Sequence, residues 1–154
     1  MYLAQLCTTN ESIYRPIHYV TRKISSGAAA IAHGKAFKLS IGNLHAERDW
    51  GYAADYMQAA YLMLRQYRPS NYVVASGHVH SVPELLSIAF MEVGLCGRER
   101  DFLEIDKSLI RPREILRLIG DPSRARGVIG WEPTKTFIDV FREMVHYVLW
   151  LLTQ

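Results

Sequence analysis

The chain predicts an α/β fold, and three observations carry that expectation. Short apolar stretches with strand character alternate with longer stretches of helical periodicity. Gly, Pro and Asn fall at the seams between them. The 154 residues balance 49% apolar against 21% charged side chains, enough apolar material for a buried core.

The elements follow in order. "YLAQLC" at 2–7 is apolar and is expected as a short buried strand. "TTNESIYRPIH" at 8–18 is polar and is expected as a loop that Pro16 keeps irregular. "YVTRKISSGAAAIAH" at 19–33 reads as a helix, weakened at Gly27 and stopped at Gly34. "FKLSI" at 37–41 alternates apolar and polar, as a strand does, and Gly42 and Asn43 end it. "NLHAERDWG" at 43–51 is expected as a loop feeding a helix over 52–67. That helix carries an apolar stripe of Met57, Tyr61, Met63 and Leu64, expected as core or interface. "NYVVAS" at 71–76 is a strand ended by Gly77. Ser81 followed by Glu84 forms a capping-box signature and opens a helix that runs to Gly94. "DFLEID" at 101–106 reads as a strand. Residues 121–130 read as a short helix with Asp121 capping and Pro122 at its first position. The last helix spans 135–152, capped by Thr134 or Thr136, and Trp131 is expected to pack the short helix against the core. Ligands are expected at the polar connections 8–18, 42–51, 77–80 and 107–122, because open α/β folds meet ligands beyond their strand ends.

Composition narrows the function. Eighteen Lys and Arg against fifteen Asp and Glu leave a net charge of +3, with no basic block of the kind nucleic acid demands. A few arginines aimed at one phosphorylated ligand account for the same excess. Cys7 and Cys96 lie far apart and in no CxxC pattern, which reads as reduced thiols in a cytoplasmic protein. "MYLAQLC" lacks the features of a signal peptide, and "VLWLL" is far short of the ~20 apolar residues that span a bilayer. His78 and His80 have no cysteine or carboxylate set to complete a metal site, so a loop-surface role is expected and no metal. Four cations in or beside the loops suit an anionic ligand: Arg15, Lys23, Arg48 and Arg111. Glu114, near Arg111, either accepts two donors from a guanine edge or pairs with an arginine.

"YVTRKI", "IGNLHAERDWGYAADYMQAAYLML", "NYVVASGHVHSV", "RPRE" and "GDPSRARGVIGWEP" occur in this order. From about residue 9 onward the chain resembles the C-terminal part of the GDP-mannose 4,6-dehydratases, which are extended short-chain dehydrogenase/reductases. The resemblance implies a Rossmann-type fold of which residues 1–18 are the remnant of the last Rossmann strand and its loop. Residues 19–154 would form the GDP-sugar-binding lobe. It implies a lyase that converts GDP-mannose to GDP-4-keto-6-deoxymannose with NADP. Val20 and Lys23 of "VTRK" would touch the nucleotide, Arg48 of "RDWG" would hold the diphosphate, and Arg111 and Glu114 of "RPRE" would meet the guanosine end. Arg15 would be a cofactor contact.

The chain also departs from that pattern. Where the family writes close to "NHESPRRG", it has "TNESIYRP": Glu11 and Ser12 agree, but Thr9, Asn10 and Pro16 do not. No GxxGxxG fingerprint is present. Tyr19 and Lys23 spell YxxxK, yet the flanking blocks place them after the family's catalytic pair, so Tyr19 is expected only to open a helix. The chain alone is therefore expected to bind GDP or GDP-mannose without turnover, to lack the cofactor-binding half, and to form a homo-oligomer or associate with a Rossmann half. The alternatives are a non-catalytic GDP-sugar-binding or partner protein, or a fragment of another NDP-sugar epimerase or dehydratase.

Overall fold

The computed structural model describes residues 5–110 and 113–154, with residues 5–7 as backbone only. Strand β1 (Gln5–Cys7) covers the described end of the apolar stretch, and its first residues lie outside the described set. Chain order continues with β2 (Thr9–Glu11), α1 (Val20–Ala32), β3 (Leu39–Ile41), β4 (Glu47–Arg48), β5 (Trp50–Tyr52), α2 (Ala53–Leu64), β6 (Tyr72–Val74) and β7 (His80–Ser81). Then come α3 (Val82–Glu92), α4 (Glu99–Phe102), β8 (Leu103–Ile105), a 3-10 turn (Lys107–Leu109), β9 (Arg117–Leu118), α5 (Ser123–Ile129) and α6 (Phe137–Leu152).

The α/β alternation is present, but the sheet is divided into small pieces. Parallel pairs join β1 to β6, β2 to β5, and β3 to β8. A three-stranded sheet runs β7–β4–β9, antiparallel on the β7 side and parallel on the β9 side. The stretches 8–18, 42–51 and 107–122, expected as plain loops, thus contain β2, β4, β5 and β9. Runs of two or three residues are too short for periodicity to separate from loop, and it is pairing with distant segments that makes them strands.

Two apolar cores hold these pieces. The larger packs α1, α3 and α6 together over β3. Helix α6 turns Phe137, Val140, Phe141, Met144, Val145 and Val148 inward, the spacing of one helical face. Helix α1 presents Ile24 and the small residues Ser25, Ala28 and Ala29, which allow close approach. Gly27 belongs to this contact, since a methyl there would lie 2.6 Å from Leu39 Cδ1. The smaller core gathers Tyr56, Ala59 and Met63 of α2, Tyr72 and Val74 of β6, and Ala125, Ile129 and Trp131. Trp131 packs as expected and donates its indole N–H to the Asp55 carbonyl at 2.8 Å.

Several local expectations need correction. Helix α2 ends at Leu64, short of the expected 67; of its stripe Met63 is core, while Met57, Tyr61 and Leu64 face outward, which leaves the interface alternative for them. Ser81 caps α3 by accepting from the Glu84 N–H, but the Glu84 carboxylate turns to His80 Nδ1 at 2.9 Å instead of closing a box. His80 also stacks on Phe137, so it is packed rather than a loop-surface residue. Residues 101 and 102 belong to α4, and the strand begins at Leu103. Helix α5 starts one residue later than expected. Pro122 is its cap position, while Asp121 accepts from the Ser123 N–H at 2.9 Å. At α6, Thr136 rather than Thr134 is the cap, in a complete box with Asp139. Helices α1 and α3 stop where expected, with Gly34 and Gly94 in the left-handed conformation that accommodates glycine best. Cys96 is a free, exposed thiol.

Candidate nucleotide-sugar cleft

The "RDWG" stretch splits its labour residue by residue. Asp49 is fully buried. Its carboxylate accepts the Ser76 N–H and the Gly77 N–H, each at 2.9 Å, and the Gly120 N–H at 3.4 Å. One side chain thereby ties β4 to the ends of two other segments. Trp50 is buried and stacks on Phe137 of α6 with centroids 5.3 Å apart. Gly51 has no room for a side chain, since a methyl would lie 2.5 Å from the Tyr56 ring. Arg48 is left to face outward from this anchored segment.

Arg48 faces a cleft of about 500 Å³. Arg15, Val20, Lys23 and Glu114 line the same cleft, so five of the six sequence-predicted site residues converge on one space. The sixth, Arg111, lies outside the described residues. The connections 8–18, 42–51 and 107–122 all contribute to this cleft. The connection 77–80 does not; with Arg117, Arg126 and Lys135 it lines a second cleft of about 660 Å³. Gly42 shapes the first cleft, because a methyl there would lie 2.9 Å from the Leu109 backbone. The 3-10 turn can therefore close over the end of β3 only at a glycine.

Arg48 is held by the protein itself. Its Nη1 donates to the Glu47 carbonyl at 2.8 Å and to the Leu116 carbonyl at 3.2 Å. Its Nη2 lies 3.6 Å from Glu114 Oε1. Asn43 donates from Nδ2 to Glu114 Oε2 at 2.7 Å. Of the two roles open to Glu114 in the sequence, pairing with an arginine is the one seen, and the arginine is Arg48.

The other arginine sits differently. Arg15 Nε lies 3.5 Å from Glu11 Oε2, and its guanidinium lies over the Tyr19 ring at 3.6 Å. Tyr19 is the cap position of α1 and lines the cleft beside Lys23. Thr21 donates its hydroxyl to Glu11 Oε2 at 2.7 Å. Glu11 is buried, and desolvation pushes its carboxyl up to about 7, against the opposing pull of the Thr21 hydroxyl and Arg15. Glu11, Asn43 and Tyr19 as a platform for Arg15 are features of the cleft that residue-level reading missed. The signal for Glu11 was present in its four-residue spacing from Arg15.

Six of the described glycines are unsuited to cradle a dinucleotide phosphate. Gly42, Gly51 and Gly120 face protein atoms too close to admit even a methyl. Gly34, Gly94 and Gly130 follow helix C-termini, where the helix dipole repels phosphate. Among the described residues no group of three His, Cys, Asp or Glu could hold a metal, and no helix is long and apolar enough to cross a membrane.

The divided, mainly parallel sheet under a helical layer is the fold of the extended short-chain dehydrogenase/reductases. RMD from Pseudomonas aeruginosa, solved with NADPH, superposes with a TM-score of 0.84 at 19% identity, over 97% of this chain and 48% of that one. The chain belongs to the GDP-mannose 4,6-dehydratase family, whose model matches residues 1–144. Arabidopsis thaliana GDP-mannose 4,6 dehydratase 2 is 43% identical over 136 residues, 88% of this chain and 36% of the relative. The human GDP-mannose 4,6 dehydratase is 38% identical over 152 residues, 89% of this chain and 41% of the relative. The chain thus spans about two-fifths of the length of these relatives.

Proposed function

We propose that this chain forms the GDP-sugar-binding lobe of a GDP-mannose 4,6-dehydratase-type lyase. The observation that carries the reading is the convergence of Arg15, Val20, Lys23, Arg48 and Glu114 on one cleft. Arg48 offers a planar donor set to a diphosphate, and Lys23 adds a point charge. Ligand phosphates would take over the donors that Arg48 now shares with Glu114. The freed carboxylate would then accept the two adjacent N–H donors of a guanine edge, and Arg111 keeps its role at the guanosine end by resemblance alone. Val20 supplies an apolar contact for the base or ribose. NADP chemistry, hydride removal and return around loss of water, belongs to the full enzyme, with Arg15 as a contact from this lobe.

Among the described residues β1 and β6 pair only with each other, and this together with the outward Met57, Tyr61 and Leu64 of α2 supports association with a second copy or with a Rossmann half. The separated cysteines are in keeping with a cytoplasmic setting. Calorimetric titration with GDP-mannose, GDP and UDP tests the reading. Saturable binding of both guanosine ligands with weaker UDP binding is expected, and no 4-keto product from this chain alone. Equal silence toward all three would remove the proposal.

A further inference from the structure

Among the described residues, Glu11 is the one cleft-lining carboxylate that the nucleotide-sugar reading leaves without a task. It is 2% exposed. On one side Trp50, Val140, Phe141 and Met144 form an apolar wall around it. On the other it meets the Thr21 hydroxyl and Arg15. Arg15 Nε is itself buried and has no hydrogen-bond partner among the described residues, so the pair is held by charge and by the Tyr19 ring rather than by directed bonds. The titratable groups on this cleft, among the described residues, are Arg15 and His18 from the loop after Glu11, Tyr19 at the cap of α1, Lys23 of α1, Arg48 of β4, and Glu114 beyond it. The lining residues of α6 and β5 contribute none.

We propose that Glu11 is a positioning residue for Arg15 and that anion binding in the cleft is coupled to uptake of a proton by Glu11. The inference rests on the nucleotide-sugar reading above. An arriving diphosphate draws on the positive charge of Arg15 and adds negative charge beside a carboxylate already deprived of water. Both changes favour the neutral carboxyl. Because burial already places Glu11 near half-protonation at neutral pH, the coupling falls in the physiological range. By linkage, affinity is greatest where Glu11 is protonated and falls as pH rises through and above 7. A purely structural Glu11, tying β2 to α1 through Thr21, would give no such slope.

Calorimetric titration of the full chain with GDP-mannose at pH 6, 7 and 8 tests this, in buffers of differing ionisation enthalpy. The bridged diphosphate of that probe does not itself titrate near neutrality. Net proton uptake at pH 7 is expected, with binding about fivefold to tenfold weaker at pH 8 than at pH 6. E11Q keeps a carbonyl for the Thr21 hydroxyl and is expected to flatten the slope, while H18N keeps it. An unchanged slope in E11Q, or no proton uptake by the wild type, overturns the proposal. Should E11Q fail to fold, a carbon NMR titration of the wild-type Glu11 carboxyl replaces it. Its midpoint should rise when GDP-mannose is added, and an unmoved midpoint overturns the coupling. Binding with a flat pH profile removes this inference alone; no binding at any pH removes it together with the nucleotide-sugar reading.

Discussion

Arg15 with Glu11 and Arg48 with Glu114 are two ion pairs on one cleft, separated by almost the same distance, 3.5 and 3.6 Å. Their surroundings differ. Glu11 is sealed against the apolar face of α6, whereas Glu114 is about one-fifth exposed and receives an amide from Asn43. Arg15 rests on an aromatic ring, while Arg48 is fixed by two backbone carbonyls. Equal geometry therefore yields unequal chemistry. The sealed pair is poised to titrate near neutrality, and the proposed diphosphate contact would require the wetter pair to exchange partners.

Four substitutions break or sharpen this contrast. The largest effect is expected from Asp49→Ala, which strips the acceptor from three backbone N–H groups behind Arg48. A loss of about 4 kcal/mol is expected in denaturant unfolding, together with loss of GDP binding. Glu11→Gln comes next. The carboxyl titrates at about 7 in the folded chain against an ordinary value of 4.5, so between those values the folded state holds a proton that the unfolded state has released. Wild-type stability therefore falls as pH rises through this window. Glu11→Gln removes that fall, gaining about 3 kcal/mol over wild type at pH 8 and nothing at pH 4. Paired unfolding curves at the two values check the sign. Arg48→Ala is expected to weaken GDP-mannose binding by about thirtyfold, roughly 2 kcal/mol, with little change in stability. The smallest effect belongs to Glu114→Gln. Relieved of its ion pair, Arg48 should bind inorganic pyrophosphate about threefold more tightly, under ~1 kcal/mol, while the preference for GDP over UDP shrinks. Competition titrations resolve both changes.

The large core was legible because α1, α3 and α6 are long enough for apolar spacing to repeat. Gly34, Gly94 and Thr136 are legible for a related reason, since helix ends use few residue types. The cleft was legible mainly through its motif blocks, which placed Arg48 and Lys23 together. Its framework was not. Strands β4 and β9 hold two residues each and pair with each other across seventy positions. The task of Asp49 likewise depends on where the Ser76 and Gly120 backbones come to rest. Glu84 shows the reverse error: a strong local signature lost to a nearby imidazole. Helix ends, whose partners are near in sequence, were mostly read correctly; the His80–Glu84 and Glu11–Arg15 pairs, each four residues apart, were not, and contacts brought in by the fold were missed.

The cleft's role as a nucleotide diphosphate site is tested most directly by a crystal structure of the chain with GDP. The expected result is diphosphate oxygens within hydrogen-bond reach of Arg48, with the Arg48–Glu114 pair opened. Nucleotide bound elsewhere, or an Arg48–Glu114 pair left intact beneath it, would contradict that role.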